Sequence, residues 1–279
     1  MAKGPVFKTS PEVLRYYERF AEESRLADGP FRLEFERTRE ILDRLLPSPP
    51  ATILDVGGAA GAYSAWLAER GYDVHLVDAT PRLVEEAHKV SATLKNPIAS
   101  LSVADARSLP QSAGFADVVL LMGPLYHLTT EQDREAALLE AGRVLREHGL
   151  LIVAAISRYA SALDGLARNL STDPTFARMR NRDLVDGQHR NETGRIDYFT
   201  TAYFHRPEDL AREMRAAGFD EVSVLGVEGP GWLVGDFERR WNDVTTRNDM
   251  LAVARALEAE PSIVGASAHL LGIGRKTGS

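Results

Sequence analysis

Residues 52–81, T-I-L-D-V-G-G-A-A-G-A-Y-S-A-W-L-A-E-R-G-Y-D-V-H-L-V-D-A-T-P, constrain the fold more than any other part of the chain. A short apolar run at 52–56 breaks into Gly57, Gly58, Ala59, Ala60 and Gly61, then resumes with helical spacing through Tyr63, Trp66 and Leu67. A second apolar run, 74–77, ends in Asp78. This order predicts a strand, a tight turn, a helix and a second strand, half of a nucleotide-binding βαβ unit. Glycines let the backbone turn sharply and let a ligand approach it, because no Cβ intervenes. The helix start beyond the turn offers free N–H groups to an anionic group. Asp78 follows the turn by roughly twenty residues, where a carboxylate accepts from ribose hydroxyls.

The glycine spacing separates the nucleotides that such a unit can hold. The dinucleotide pattern G-x-G-x-x-G, begun at Gly57, needs glycine at Ala59 and Ala62; begun at Gly58, it fails at Ala60. The pattern D-x-G-x-G-x-G is met at Asp55, Gly57 and Gly61, with Ala59 the one departure. In this the segment resembles the first motif of class I S-adenosylmethionine-dependent methyltransferases. The resemblance implies that Asp55 lies near the amino group of S-adenosylmethionine and that Gly57, Gly58 and Gly61 accommodate its methionine portion. It places Asp78 and Ala79 at the ribose. The methyl group of Ala59 narrows the turn. The implied fold is α/β, a doubly wound, Rossmann-like sheet of seven strands with the last one antiparallel.

The flanking chain fits that frame. Ser10-Pro11-Glu12 reads as a helix start, with Ser10 at the N-cap and Pro11 at the first helical position. A second helix spans 31–46 and stops at P-S-P-P. In the family such N-terminal helices close over the cofactor, which makes Tyr16, Tyr17 and Arg25 candidates to touch it. After Asp78 follow a helix at 81–92 and a strand at 98–104 ending in Asp105-Ala106, which the resemblance makes the adenine site. The strand at 116–122, A-D-V-V-L-L-M, is continuously apolar from Val118 on, as suits a parallel strand buried on both faces. It delivers Met122 and Gly123-Pro124-Leu125-Tyr126-His127-Leu128 to the carboxyl edge of the sheet, where ligands bind in open α/β folds. That loop resembles the corresponding segment of small-molecule methyltransferases of the ubiquinone/menaquinone-biosynthesis type. A helix at 131–147 and a strand at 149–156 follow.

The expected organisation is an N-terminal helical cap (1–50), a cofactor-binding core (51–156), a cap insertion (157–205), and the rest of the core (206–279) with a second helical insertion at about 229–265. Within the last part, 207–217 reads as a helix and 221–227 and 268–273 as strands.

Composition removes several function classes. The chain has no cysteine, so disulfides, thiolate metal sites and cysteine nucleophiles are excluded. A net charge of −7 over 279 residues argues against binding to nucleic acid, RNA methylation included, or to an anionic membrane. With no apolar leader or spanning run in view, a cytoplasmic protein is expected. The expected partner is a small-molecule substrate, and a homodimer is the one assembly entertained.

Methyl transfer from a sulfonium is an in-line displacement, so the protein chiefly holds the reactants close and excludes water. A base is required only where the acceptor arrives protonated. His127 is the catalytic candidate because imidazole titrates near neutrality, and Tyr126 beside it is placed to orient a substrate. His189, Asn191, Tyr203, His205, Glu228 and Trp232 in the two insertions are the substrate-binding candidates, a polar and aromatic set suited to a small ligand. Histidine spacing supports no metal site. The expected function is S-adenosylmethionine-dependent methyl transfer to an N or O atom of a small molecule. The alternatives are a non-catalytic S-adenosylmethionine-binding regulatory or assembly protein and an NAD-dependent oxidoreductase.

Overall fold

The computed structural model describes residues 10–19 and 25–278. Helix α1 (Pro11–Arg19) starts where Ser10 accepts the amide of Glu12, and α2 (Phe31–Leu45) precedes the sheet. The βαβ stretch folds as β1 (Thr52–Val56), α3 (Ala62–Glu69) and β2 (Asp73–Asp78). Then come α4 (Pro81–Ser91), β3 (Ser100–Val103), β4 (Ala116–Leu121), the single turn α5 (Pro124–His127), α6 (Glu131–Val144) and β5 (Leu145–Ser157).

β3, β2, β1, β4 and β5 lie side by side in that order, every pair parallel. Such a sheet is covered on both faces, which is why its strands are apolar at consecutive positions. Leu54, Val56, Val119, Leu121, Leu151 and Val153 face one side, where Leu138 of α6 packs. Ile53, Val118, Leu120 and Ile152 face the other, against Ile41 and Leu42 of α2, Leu67 of α3 and Val84 of α4. Helix α2, expected in an outer cap, is therefore part of the core sandwich.

The first insertion contains α7 (Ala160–Ala167), α8 (Pro174–Asp186) and a short hairpin, β6 (Gln188–His189) with β7 (Ala202–His205). β7 joins the exit of β5 in parallel at Ile156–Phe204 and Ser157–His205. These two strands were not readable in the sequence, being short and set among polar residues. α9 (Pro207–Ala216) then adds Leu210 and Met214 to the face held by α6. β8 (Phe219–Gly226) and β9 (His269–Lys276) close the sheet, β9 running antiparallel between β5 and β8, as expected for the final strand.

The link between β8 and β9 contains α10 (Phe237–Asn242) and α11 (Val244–Leu257). Phe237, Trp241 and Met250 pack on Leu33 of α2, and Glu258 pairs with Arg37 and Arg44 of the same helix. The structure thus sets this insertion against α2. No helix among the described residues is long and apolar enough to cross a membrane.

Candidate active site

A cleft of 370 Å³ opens at the carboxyl ends of β1, β2 and β4. Its size falls within the roughly 300–1,000 Å³ typical of small-molecule sites. Its floor is the turn after β1. Gly57 (φ 79°), Ala59 (φ 49°) and Gly61 (φ 87°) all adopt left-handed backbone there. A Cβ on Gly57 would overlap the Pro124 ring, and one on Gly58 would sit 2.7 Å from Oδ2 of Asp55. The turn is therefore pressed against its own neighbours, and small residues are required for it to close.

Asp78 ends β2 with its carboxylate at the cleft wall. Oδ2 accepts the amide of Ala59 at 3.0 Å, and Oδ1 accepts that of Thr80 at 2.8 Å. Burial raises its pKa, and the amides of Thr80 and Ala59 offset only part of the rise. A carboxylate has about four lone-pair directions, so acceptor capacity remains for a ligand diol.

Asp55 lies beneath the turn rather than on the cleft surface. It is fully buried, Oδ2 accepts the Ser64 hydroxyl at 2.6 Å, and Oδ1 has no hydrogen-bond partner. Burial pushes its carboxyl up to about 6; the Ser64 hydroxyl opposes the rise and the charge of Asp78 adds to it. Gly61 likewise lies off the cleft, at the start of α3.

At the edge formed beyond β3, Asp105 and Ala106 line the cleft. The Asp105 carboxylate is gripped by Arg107 through Nε and Nη2, both at 2.8 Å, and Arg107 reaches Asp133 at 2.6 Å. Arg25, Met122 and Gly123 also line the cleft; Arg25 pairs with Glu34 at 2.6 Å.

Tyr17, Tyr126 and His127 converge on the wall beyond Met122. Gly123 (φ 154°) turns the chain out of β4 into α5. Nε2 of His127 lies 2.9 Å from the Tyr17 hydroxyl, and Nδ1 lies 3.3 Å from the carbonyl oxygen of Thr201. α1 is held over this wall by Arg82 of α4, which donates to the Tyr17 carbonyl at 2.8 Å. Burial drives the imidazole down to about 4, with the Thr201 carbonyl partly opposing it. His127 is therefore neutral at pH 7.

The six substrate-binding candidates are not brought to this cleft among the described residues. Nδ1 of the buried His189 lies 3.0 Å from Asp183, and Nε2 lies 2.8 Å from the Tyr198 carbonyl. Asn191 donates to the carbonyls of Arg195 and Phe199 at 2.6 Å each. The Tyr203 ring covers the Arg134 guanidinium at 3.7 Å, and the buried His205 lies 3.2 Å from Glu213. Glu228 accepts from Ser267 (2.6 Å) and from Nδ1 of His269 (2.5 Å); Trp232 donates to Ala266 at 3.0 Å. These contacts lie inside the protein, and only Nδ1 of His205 among the atoms of the six is buried without a hydrogen-bond partner. Reading the sequence missed Tyr63, Arg107 and Asp133 on the cleft wall. The placement of Arg107 two residues after Asp105 was the one available signal for them.

The donor set fits a nucleoside with a charged amino-acid tail. Asp78 offers acceptors to a diol, the tight turn admits a chain against its backbone, and the orphaned Oδ1 of Asp55 lies just below. Comparison with known proteins agrees. Residues 53–149 match the family described as "Methyltransferase domain". A glycine/sarcosine N-methyltransferase of Parasynechococcus marenigrum is 33% identical over 159 residues, covering 53% of this chain and 55% of that protein. A glycine/sarcosine/dimethylglycine N-methyltransferase of Actinopolyspora halophila is 25% identical, covering 66% of this chain and 34% of that one. The chain thus spans about half and a third of the length of these two relatives. Among solved structures, a possible histamine N-methyltransferase of Thermotoga maritima superposes with a TM-score of 0.59 at 20% identity, over 94% of this chain and 99% of that one.

Proposed function

We propose that this chain, a class I S-adenosylmethionine-dependent methyltransferase whose residues 53–149 are the methyltransferase domain, methylates a nitrogen atom of a small molecule. The observation that carries the reading is the meeting of Tyr17 and His127 on the cleft wall next to the glycine turn and Asp78. The N-methyltransferase names of the relatives support nitrogen over oxygen as the accepting atom.

Asp78 would hold the ribose hydroxyls, Asp105 and Ala106 the adenine edge, the turn at Gly57 and Gly58 the methionine portion, and Arg25 its charged end. When bound, S-adenosylmethionine supplies an electrophilic methyl carbon on a sulfonium. Tyr17, Tyr126 and Met122 keep water from the wall where the acceptor sits, which favours alignment of the reacting atoms. An imidazole pushed down to about 4 is too weak a base to strip a proton from an ammonium ion. His127 therefore orients a neutral amine, accepting one of its N–H groups at Nε2 in place of Tyr17. The proton lost after methylation passes to water. Nitrogen suits this arrangement because a neutral amine carries its own lone pair and needs no prior deprotonation.

Calorimetric titration with S-adenosylmethionine, S-adenosylhomocysteine and NAD tests the cofactor half, and release of S-adenosylhomocysteine across a panel of amines and alcohols tests the acceptor half. Binding of NAD without binding of either sulfur nucleoside would overturn the proposal. Binding of the sulfur nucleosides with turnover on alcohols alone would overturn nitrogen as the acceptor, and no turnover on either class would leave a binding protein in place of an enzyme.

A further inference from the structure

The first insertion, which the sequence places over the substrate, stands instead behind the loop that carries Tyr126 and His127. Three contacts fix the far side of that loop. The carbonyl oxygen of Thr201 faces Nδ1 of His127 at 3.3 Å. Gln188 donates through Nε2 to the Thr129 carbonyl at 2.9 Å. Arg134 of α6 donates through Nη1 to the Leu128 carbonyl at 3.1 Å.

The first contact selects a tautomer. A carbonyl oxygen only accepts, so the ring proton sits on Nδ1 and the lone pair is left on Nε2. The Tyr17 hydroxyl donates to that lone pair.

Arg134 is anchored from behind. It is buried, Glu213 of α9 takes its Nε and Nη2 at 2.9 and 2.7 Å, and the Tyr203 ring lies across its face. His205 meets the same Glu213. A buried pair of this kind contributes little net stability against an apolar replacement, because desolvating both charges offsets their attraction. Geometry is the better account of it. Phe199 completes the arrangement, with φ 63° and ψ −164°, a region populated almost solely by glycine. That strained backbone sets its ring 5.7 Å from the His127 ring and 6.3 Å from Tyr126.

We propose that residues 188–205, together with Arg134, form a brace that holds His127 as the Nδ1-protonated tautomer with its Nε2 lone pair turned to the cleft. Gln188 and Arg134 are positioning residues in this arrangement. The role rests on the reading of His127 as the group that orients the acceptor, but the brace has its own observable.

Nitrogen-15 spectra of histidine-labelled protein, with His127 assigned by comparison with His127→Gln, read both tautomer and titration. The wild-type ring should appear as the Nδ1–H form and stay neutral down to about pH 4. Arg134→Gln should give a mixture of tautomers and move the midpoint up by about one unit or more toward the ordinary histidine value. Arg134→Lys keeps the charge beside Glu213 but lacks the forked N–H groups that grip Glu213 and the Leu128 carbonyl together, so it should show the altered spectrum as well. Removing Arg134 leaves Glu213 buried, so the double variant Gln188→Ala with Phe199→Ala, which spares the core sheet, tests the brace where Arg134→Gln fails to fold. Affinity for S-adenosylhomocysteine should change less than about twofold in every folded variant. An unchanged tautomer and midpoint in folded Arg134→Gln or in the double variant overturns the brace. Absence of S-adenosylhomocysteine binding in the wild type overturns the methyl-transfer reading alone, because the spectra need no ligand.

Discussion

The hydroxyl of Tyr17 and Nε2 of His127 lie 2.9 Å apart, although 110 positions separate the two residues in the chain. Their rings meet edge to face, with centroids 5.4 Å apart. The pair ties α1, at one end of the chain, to the loop leaving β4 at the centre of the sheet. It also occupies the lone pair that an acceptor would use, so acceptor binding and the seating of Tyr17 are alternatives at one atom.

Replacing Tyr17 by phenylalanine removes the hydrogen bond and keeps the ring. The exchange at Nε2 then no longer displaces a donor, but the ring is seated less firmly. A neutral hydrogen bond is worth about 1 kcal/mol net and is already broken once the acceptor is seated, so KM for the acceptor should fall roughly fivefold with kcat little changed. The dissociation constant for S-adenosylhomocysteine should stay within about twofold. Steady-state kinetics alongside calorimetry separates the two effects. An unchanged KM in Tyr17→Phe would place the acceptor away from this pair.

Asp78→Asn tests the ribose contact. Asparagine keeps one oxygen for the Thr80 amide but presents an NH2 group where the Ala59 amide donates and where the ligand diol would donate. Affinity for S-adenosylmethionine should weaken by roughly 1.5–3 kcal/mol, the scale of hydrogen bonds to a charged group. An unaltered affinity with an intact circular dichroism spectrum would remove Asp78 from the site.

His269 gives the fold a pH dependence with a definite sign. Burial works against its charge, but Glu34 and Glu228 outweigh burial and lift the imidazole to about 9. A histidine raised in the folded state contributes stability that is fully present below its unfolded value near 6.5 and is lost as pH rises through the folded value. The melting temperature should therefore decline between about pH 6.5 and 9. In His269→Gln this alkaline limb should flatten, with a lower melting temperature at pH 6.5. Parallel limbs in both proteins, followed by scanning calorimetry, would show that another group titrates there.

The sheet was legible because its information is local. Strands buried on both faces need apolar residues at consecutive positions, as at 118–121, and a turn such as 57–61 needs small residues whatever surrounds it. Asp78 and Asp105 were readable for the same reason, each ending a strand whose place in the series was clear. The insertions were not. A histidine with a buried structural partner has the same letter as one facing a substrate, and His189 is told apart only by Asp183 and the Tyr198 carbonyl in the folded chain. Arg134 was missed because a charged residue on an amphipathic helix normally faces solvent; its burial depends on Glu213, 79 positions away. Tyr17 and His127 were each recognisable as cleft residues, but nothing in the sequence couples them.

Neighbouring positions in the turn should respond to opposite substitutions in opposite ways. Ala59 adopts φ 49°, where an L side chain costs about 1–2 kcal/mol, and glycine there loses only the entropy advantage of alanine, about 0.5–1 kcal/mol. Ala59→Gly should therefore be neutral to stabilising by up to about 1 kcal/mol. Its amide still donates to Asp78, so cofactor affinity should be retained or improved as the turn widens. Gly57→Ala combines the same left-handed strain (φ 79°) with a Cβ that overlaps the Pro124 ring at the start of α5. The turn and the α5 loop cannot both keep their positions, so this variant should lose several kcal/mol of stability, the scale of core overpacking plus backbone strain at about 1–3 kcal/mol each. Denaturant titration of the two variants decides the matter. A Gly57→Ala protein as stable as the wild type would mean that β1 and the His127 loop are not in contact through Gly57 and Pro124.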